Sequence, residues 1–162
     1  MSIIGVAKLI GAALVVTGGI AAAYILNSRA KRMLGVTEGM ILLLRYIKTQ
    51  VGCYSMPIEK ILSGYDNELF SECGYAGEEK PKSLDALILG CPALEGRALQ
   101  IMTEFSRSFG KNYRAEQVKL CESSIDELAG LRAELSEKLP MRRKLNSTLC
   151  LSGAMAIVIL LV

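Results

Sequence analysis

The chain has 162 residues, a formal net charge of +3 and no histidine, which excludes Ser-His-Asp and Cys-His nucleophile arrangements and His-ligated metal sites. Hydrophobic residues make up 51% and charged residues 22%, with a mean hydropathy of +0.35. That combination is too apolar for an ordinary globular domain and too charged for a wholly membranous chain.

The first element runs from Ile3 to Leu26, apolar or small apart from Lys8 and Thr17. Its uncharged part, Leu9 to Leu26, is 18 residues long and covers roughly 27 Å as a helix, close to the roughly 30 Å hydrocarbon core of a bilayer. A membrane helix is expected here. Gly11, Gly18, Gly19 and Ala22 are small enough to let a second helix approach, so they are candidates for packing within the membrane. Basic Arg29, Lys31 and Arg32 follow directly. Basic residues flanking a span resist translocation, so this end is expected to face the cytoplasm.

From Lys31 to Val51 an apolar stripe of Leu34, Ile41, Leu44, Ile47 and Val51, with Met33, Met40 and Leu43 beside it, predicts a helix continuing from the span and broken by Gly52. Ser55 is placed to cap a short helix with Pro57 in its first turn and Ile58, Ile61 and Leu62 on its apolar face. One further turn is expected at Asn67 to Phe70. Gly74, Gly77 and Pro81 mark Ser71 to Lys82 as the least ordered part of the chain. Ser83 is a cap for a short helix to Leu89, closed by Gly90.

Pro92 then suits a helix start, with Leu94, Ala98, Ile101, Met102, Phe105 and Phe109 on one face and Gly110 as its stop. Asn112 is expected to cap the last long helix, whose stripe is Val118, Cys121, Ile125, Leu128, Leu135 and Leu139. The short link predicts an antiparallel helical hairpin, and Pro140 predicts a kink or a break. Arg142, Arg143 and Lys144 precede a second uncharged run of 18 residues, Leu145 to Val162, expected to be a second membrane helix.

No strand-like alternation is long enough to matter. The expected fold is all-α, a cytoplasmic helical bundle (27–144) between an N-terminal (3–26) and a C-terminal (145–162) transmembrane helix. The bundle holds 18 basic and 16 acidic residues, 18 − 16 = +2. This near balance, with no Trp and no Arg-rich block, gives no case for nucleic acid. Five irregularly spaced cysteines, Cys53, Cys73, Cys91, Cys121 and Cys150, read as small apolar side chains in a reducing compartment. No phosphate-binding loop is present and the acids fall at solvated helix spacings, for example Glu134 with Lys138. The chain reads as a non-enzyme without cofactor or metal.

Several stretches together resemble the stage III sporulation protein AB family: Lys8, Leu9, Ile10, Gly11 and Ala12 in the first span, SMPIEKIL in the middle, FSRSFGKNYRAEQVKL at the hairpin, and the apolar tail. The similarity runs in order over essentially the whole chain and departs from the family pattern at Lys111 to Tyr113. It implies a cytoplasmic domain similar to that of the type II secretion inner-membrane F proteins. It further implies a platform in the mother-cell membrane around the forespore, docking a cytoplasmic secretion-type ATPase (stage III sporulation protein AA-like) alongside other channel-complex proteins. Tyr54, Pro57, Glu59, Gly110 and Gln117 match recurring positions of the family and are the candidate partner contacts. A second copy of the chain is a further candidate partner, and the bilayer itself is contacted by the spans and the six flanking basic residues. The alternative is a membrane-anchored assembly factor whose helical domain lies outside, its first segment cleaved at the small residues before Tyr24.

Overall fold

The computed structural model describes the backbone of residues 3–54, 56–111 and 113–161, with side chains described from 17 onward to 141 apart from 55 and 112, and at Lys144, Thr148 and Ser152. Within these residues the chain is helical, without strands: α1 Ile3–Tyr54, α2 Ile58–Gly64, α3 Asn67–Glu72, α4 Leu84–Leu89, α5 Gly96–Ser108 and α6 Arg114–Leu161. Two compact units result, Met1–Lys31 with Ser136–Val162, and Arg32–Leu135.

The second unit is a bundle around α1. Met40, Leu43, Leu44 and Ile47 are fully buried along it, with Val36, Ile41 and Val51 nearly so, as the stripe predicts. Thr37 is fully buried as well; its hydroxyl donates to the Met33 carbonyl at 2.8 Å, so no polar atom is stranded. α6 lies antiparallel to this part of α1. Lys48 pairs with Glu122 at 2.9 Å and Glu38 with Arg132, so positions ascending in one helix meet positions descending in the other. Both pairs are about half exposed and each contributes at most about 1 kcal/mol. The larger share comes from Cys121, Leu128 and Leu131 of α6, all buried in the common core with α5 residues Ala98, Ile101, Met102 and Phe105.

Several expectations are corrected. Gly52 does not break α1, which runs on to Tyr54. A lone glycine costs a helix only about 1 kcal/mol relative to alanine, and Gly52 sits where α1 packs beside Val118. α5 starts at Gly96 rather than Pro92, because Cys91 to Leu94 form a separate turn closed by the Leu94 N–H on the Cys91 carbonyl at 3.0 Å. The cap of α2 is Pro57, without a side-chain hydrogen bond; Ser55 and Asn112 lie outside the described residues. Pro140 falls inside α6, which continues through it. Ser83 caps α4 as expected, its hydroxyl accepting from the Ala86 N–H at 3.1 Å.

The segment expected to be least ordered is instead pinned at several points. Tyr75 donates through its hydroxyl to the Glu79 carbonyl at 2.8 Å, and the Ala76 N–H reaches the Gly90 carbonyl at 2.8 Å. Lys80 donates to the carbonyls of Ser63 and Tyr65 at 2.8 and 2.7 Å, satisfying groups left open at the end of α2. Four rings run through this region, Tyr46, Tyr65, Phe70 and Tyr75, with centroids 5.0, 5.0 and 5.8 Å apart.

In the first unit, α1 buries a narrow strip: Gly19, Ala23, Asn27 and Ala30 are half-buried. Ile20, Tyr24, Ile25 and Leu26 are 51–76% exposed. Among the described residues no helix is long and apolar enough to cross a membrane; the side chains of the first half of the Ile3 to Leu26 run and of most of the Leu145 to Val162 run lie outside them.

Candidate functional site

Residues 27 to 144 contain neither histidine nor a described cluster of three metal-ligating side chains. The buried thiols are poor nucleophiles. Burial pushes Cys73 up to about 12, helped by Cys91 and Glu72 nearby, and pushes Cys91 and Cys121 up to about 11. Cys53 is the exposed one among the four described, and all four are free thiols. Tyr65 is likewise raised to about 12, by burial first and by Cys73, Glu72 and Tyr46 after it.

What the bundle does offer is a hollow of about 560 Å³ where five helices end or begin. Val51 brings the last turns of α1, and Met56, Pro57 and Ile58 form the entry to α2. The first turn of α4 contributes Leu84 and Asp85, held in place by the Ser83 cap. Phe109 closes α5, its N–H on the Phe105 carbonyl at 2.8 Å and its ring 5.0 Å from that of Phe105. Gly110 then turns the chain at φ +84°, a left-handed conformation that a side chain would strain, although a Cβ there would meet nothing within 4 Å. Tyr113 accepts at its carbonyl from the Glu116 and Gln117 N–H groups, each at 3.0 Å, to start α6. Arg114 and Gln117 complete the wall.

Three of the candidate partner contacts, Pro57, Gly110 and Gln117, therefore surround one hollow although up to 60 positions separate them in the chain. Tyr54 and Glu59 are outside its lining; both are exposed, Tyr54 by 65%. Arg114 lies within the turn between the candidates Gly110 and Gln117, whereas Phe109, and Asp85 with its hydrogen bond from Ser106, are lining residues that sequence reasoning did not single out as contacts. Asp85 had the appearance of an ordinary acid in a helix first turn, and only the meeting of α4 with α5 gives it a partner.

Of the membrane-flanking candidates, Arg29 and Lys31 belong to the first unit and Arg32 to the second. Arg29, Lys31 and Arg32 are exposed on α1, and Lys144 is exposed on α6. The side chains of Arg142 and Arg143 lie outside the described residues. Among the candidates for helix packing, Gly19 is half-buried while Gly18 and Ala22 are exposed, and Gly11 is outside the described side chains.

A family model described as stage III sporulation protein AB matches residues 82–162, the stretch that holds α4, α5 and α6. No curated protein and no solved structure matches the chain.

Proposed function

The chain belongs to the stage III sporulation protein AB family, and from this sporulation role we propose that it is a non-enzymatic membrane platform of a sporulation secretion or channel complex. Its spans are 3–26 and 145–162, and its helical bundle faces the cytoplasm of the mother cell and docks a secretion-type ATPase.

The observation that carries the membrane part is the inverted pattern of α1 in the first unit. Small Gly19 and Ala23 are covered while Ile20, Tyr24, Ile25 and Leu26 point outward. In water that arrangement exposes apolar surface at about 25 cal/mol per Å²; in lipid it is the favoured one, because small residues allow close packing and large apolar ones meet acyl chains. The exposed Arg29, Lys31 and Arg32 support an inward-facing bundle. The platform role is supported by a hollow that gathers three of the candidate partner contacts, Pro57, Gly110 and Gln117.

Cysteine labelling tests the topology. Cys53 is exposed on the bundle while Cys73, Cys91 and Cys121 are buried. With Cys150 replaced by serine, a membrane-impermeant maleimide reports on Cys53 alone. Labelling only after permeabilisation is the expected result; labelling of intact cells would favour the anchored factor with its domain outside. Co-purification of the ATPase with the full-length protein from sporulating cells tests the docking.

A further inference from the structure

We propose that the bases bordering the apolar runs of α1 and α6 form a binding surface for anionic phospholipid headgroups, so that the chain selects such lipids over zwitterionic ones. The proposal rests on the membrane reading and names the class of lipid.

The distribution of charge along the whole chain carries it. All 16 acidic residues lie between Glu38 and Glu137, and eight of the 19 bases lie outside that stretch. Inside it the balance is 11 − 16 = −5. Seven of the eight outer bases fall at 29–32 and 138–144, beside the uncharged runs Leu9 to Leu26 and Leu145 to Val162. The sign therefore changes close to the borders of the compact units, at 31/32 on α1 and 135/136 on α6. The nearest acids leave the excess standing. Glu38 pairs with Arg132, and setting Glu137 against its neighbour Lys138 still gives 7 − 1 = 6 bases.

Depth agrees with charge. Both helices run unbroken through these stretches, so at about 1.5 Å per residue Arg29 stands about 4.5 Å and Arg32 about 9 Å beyond Leu26. Lys144 adjoins Leu145, and Lys138 is about 10 Å from it. These bases thus lie within about one Debye length of the ends of the apolar runs, where each Lys or Arg gains about five-fold in affinity for an anionic surface. Arg29, Lys31, Arg32, Lys138 and Lys144 are all exposed.

Tyr24, Ile25 and Leu26, 76%, 65% and 51% exposed, stand directly before the bases of α1. An anionic lipid meets both features at once, its phosphate on the bases and its acyl chains on the apolar side chains, with the amphipathic tyrosine ring at the level between. An acidic protein segment or a free phosphate matches the bases alone. A zwitterionic headgroup carries its own cation and loses the net attraction.

The test offers the full-length protein, in mild detergent, equal amounts of phosphatidylglycerol and phosphatidylcholine with identical acyl chains, and reads the retained lipid by native mass spectrometry. Phosphatidylglycerol is expected to be retained at least about ten-fold over phosphatidylcholine. The exposed set Lys31→Gln/Arg32→Gln/Lys144→Gln should lower that preference about five-fold or more, and Lys31→Arg/Arg32→Lys/Lys144→Arg should keep it. Lys60→Gln/Lys82→Gln/Arg97→Gln removes as much charge from exposed bundle positions and should leave it unchanged; circular dichroism verifies the fold of each variant. Equal retention of the two lipids overturns the proposal, as does a preference that survives the first variant or falls as far in the bundle variant. Displacement of the lipid by glycerophosphoglycerol, the headgroup without acyl chains, overturns it in favour of a free phosphate.

Flotation with vesicles of each lipid separates this proposal from the membrane reading. Protein that floats with both and resists alkaline carbonate, yet retains the two lipids equally, keeps the spans and refutes the lipid selection. Protein that floats with phosphatidylglycerol vesicles alone and is released by carbonate upholds the selection and refutes the spans. Flotation with neither refutes both.

Discussion

Two glycines one turn apart on α1 show how far a residue's role depends on what lies opposite. A Cβ on Gly39 would stand 2.6 Å from the Glu72 carbonyl oxygen and 2.8 Å from the Cys73 nitrogen, both backbone, whereas a Cβ on Gly35 would meet nothing within 4 Å. Gly39→Ala is therefore expected to destabilise the bundle by about 1–3 kcal/mol through overpacking. Gly35→Ala should stabilise it by up to about 1 kcal/mol through helix propensity. Denaturant unfolding of the two variants, followed by circular dichroism, checks both signs; equal effects would refute the close approach of α3 to α1.

The buried thiols give a second expectation at the same scale. Unfolded cysteines ionise near pH 9, while Cys73 holds its proton to about 12 and Cys91 and Cys121 to about 11. Above pH 9 the unfolded chain has thus released protons that the folded chain keeps, so stability falls as pH rises. The contribution is intact below about pH 9 and is lost between there and about 11 to 12. Unfolding midpoints measured from pH 7 to 11 should decline above 9, and a variant with Cys73, Cys91 and Cys121 replaced by alanine should decline less steeply.

At the scale of elements, the segment between α3 and α4 is held by side chains rather than by its own secondary structure. Lys80 caps the open carbonyls of Ser63 and Tyr65, and the ring of Tyr75 continues the row from Phe70. Lys80→Met keeps the stem and removes both hydrogen bonds. It is expected to destabilise by about 1–2 kcal/mol, since charged hydrogen bonds are worth about 1.5–3 kcal/mol before allowance for the exposed site. Limited proteolysis at Lys82 should quicken while the rest of the bundle stays protected. Unchanged cleavage would mean that the ring row alone fixes the segment.

At the scale of the whole molecule, two units obey opposite patterns along the same helix. In Arg32–Leu135 the large apolar residues are inside, Met40, Leu43, Leu44 and Ile47 among them; in the other unit Ile20, Tyr24, Ile25 and Leu26 are outside and Gly19 and Ala23 are covered. Gly19→Leu is expected to lower the thermal stability of the full-length protein in detergent by the equivalent of about 1–3 kcal/mol. Gly18→Leu, at a position where a Cβ meets no atom within 4 Å, should leave it nearly unchanged. Equal shifts for the pair would refute a packed face at Gly19.

The all-helical class, the stripe of α1 and the Ser83 cap of α4 were legible in the sequence, because helical periodicity and capping are local properties set by neighbours three or four positions away. Family membership was legible through short stretches in fixed order, of which FSRSFGKNYRAEQVKL lies within the matched residues 82–162. Tertiary contact decided the rest. Gly52 stays helical beside Val118, Gly39 is required by the Glu72 backbone, and Ser71 to Lys82 is ordered by Lys80 and Tyr75 despite its glycines. The hollow is the clearest case. Pro57, Asp85, Phe109 and Arg114 lie far apart in the chain, and only the convergence of helix ends makes them one surface. Local sequence determines which segments coil and which face of each is apolar; long-range packing determines what two faces build where they meet.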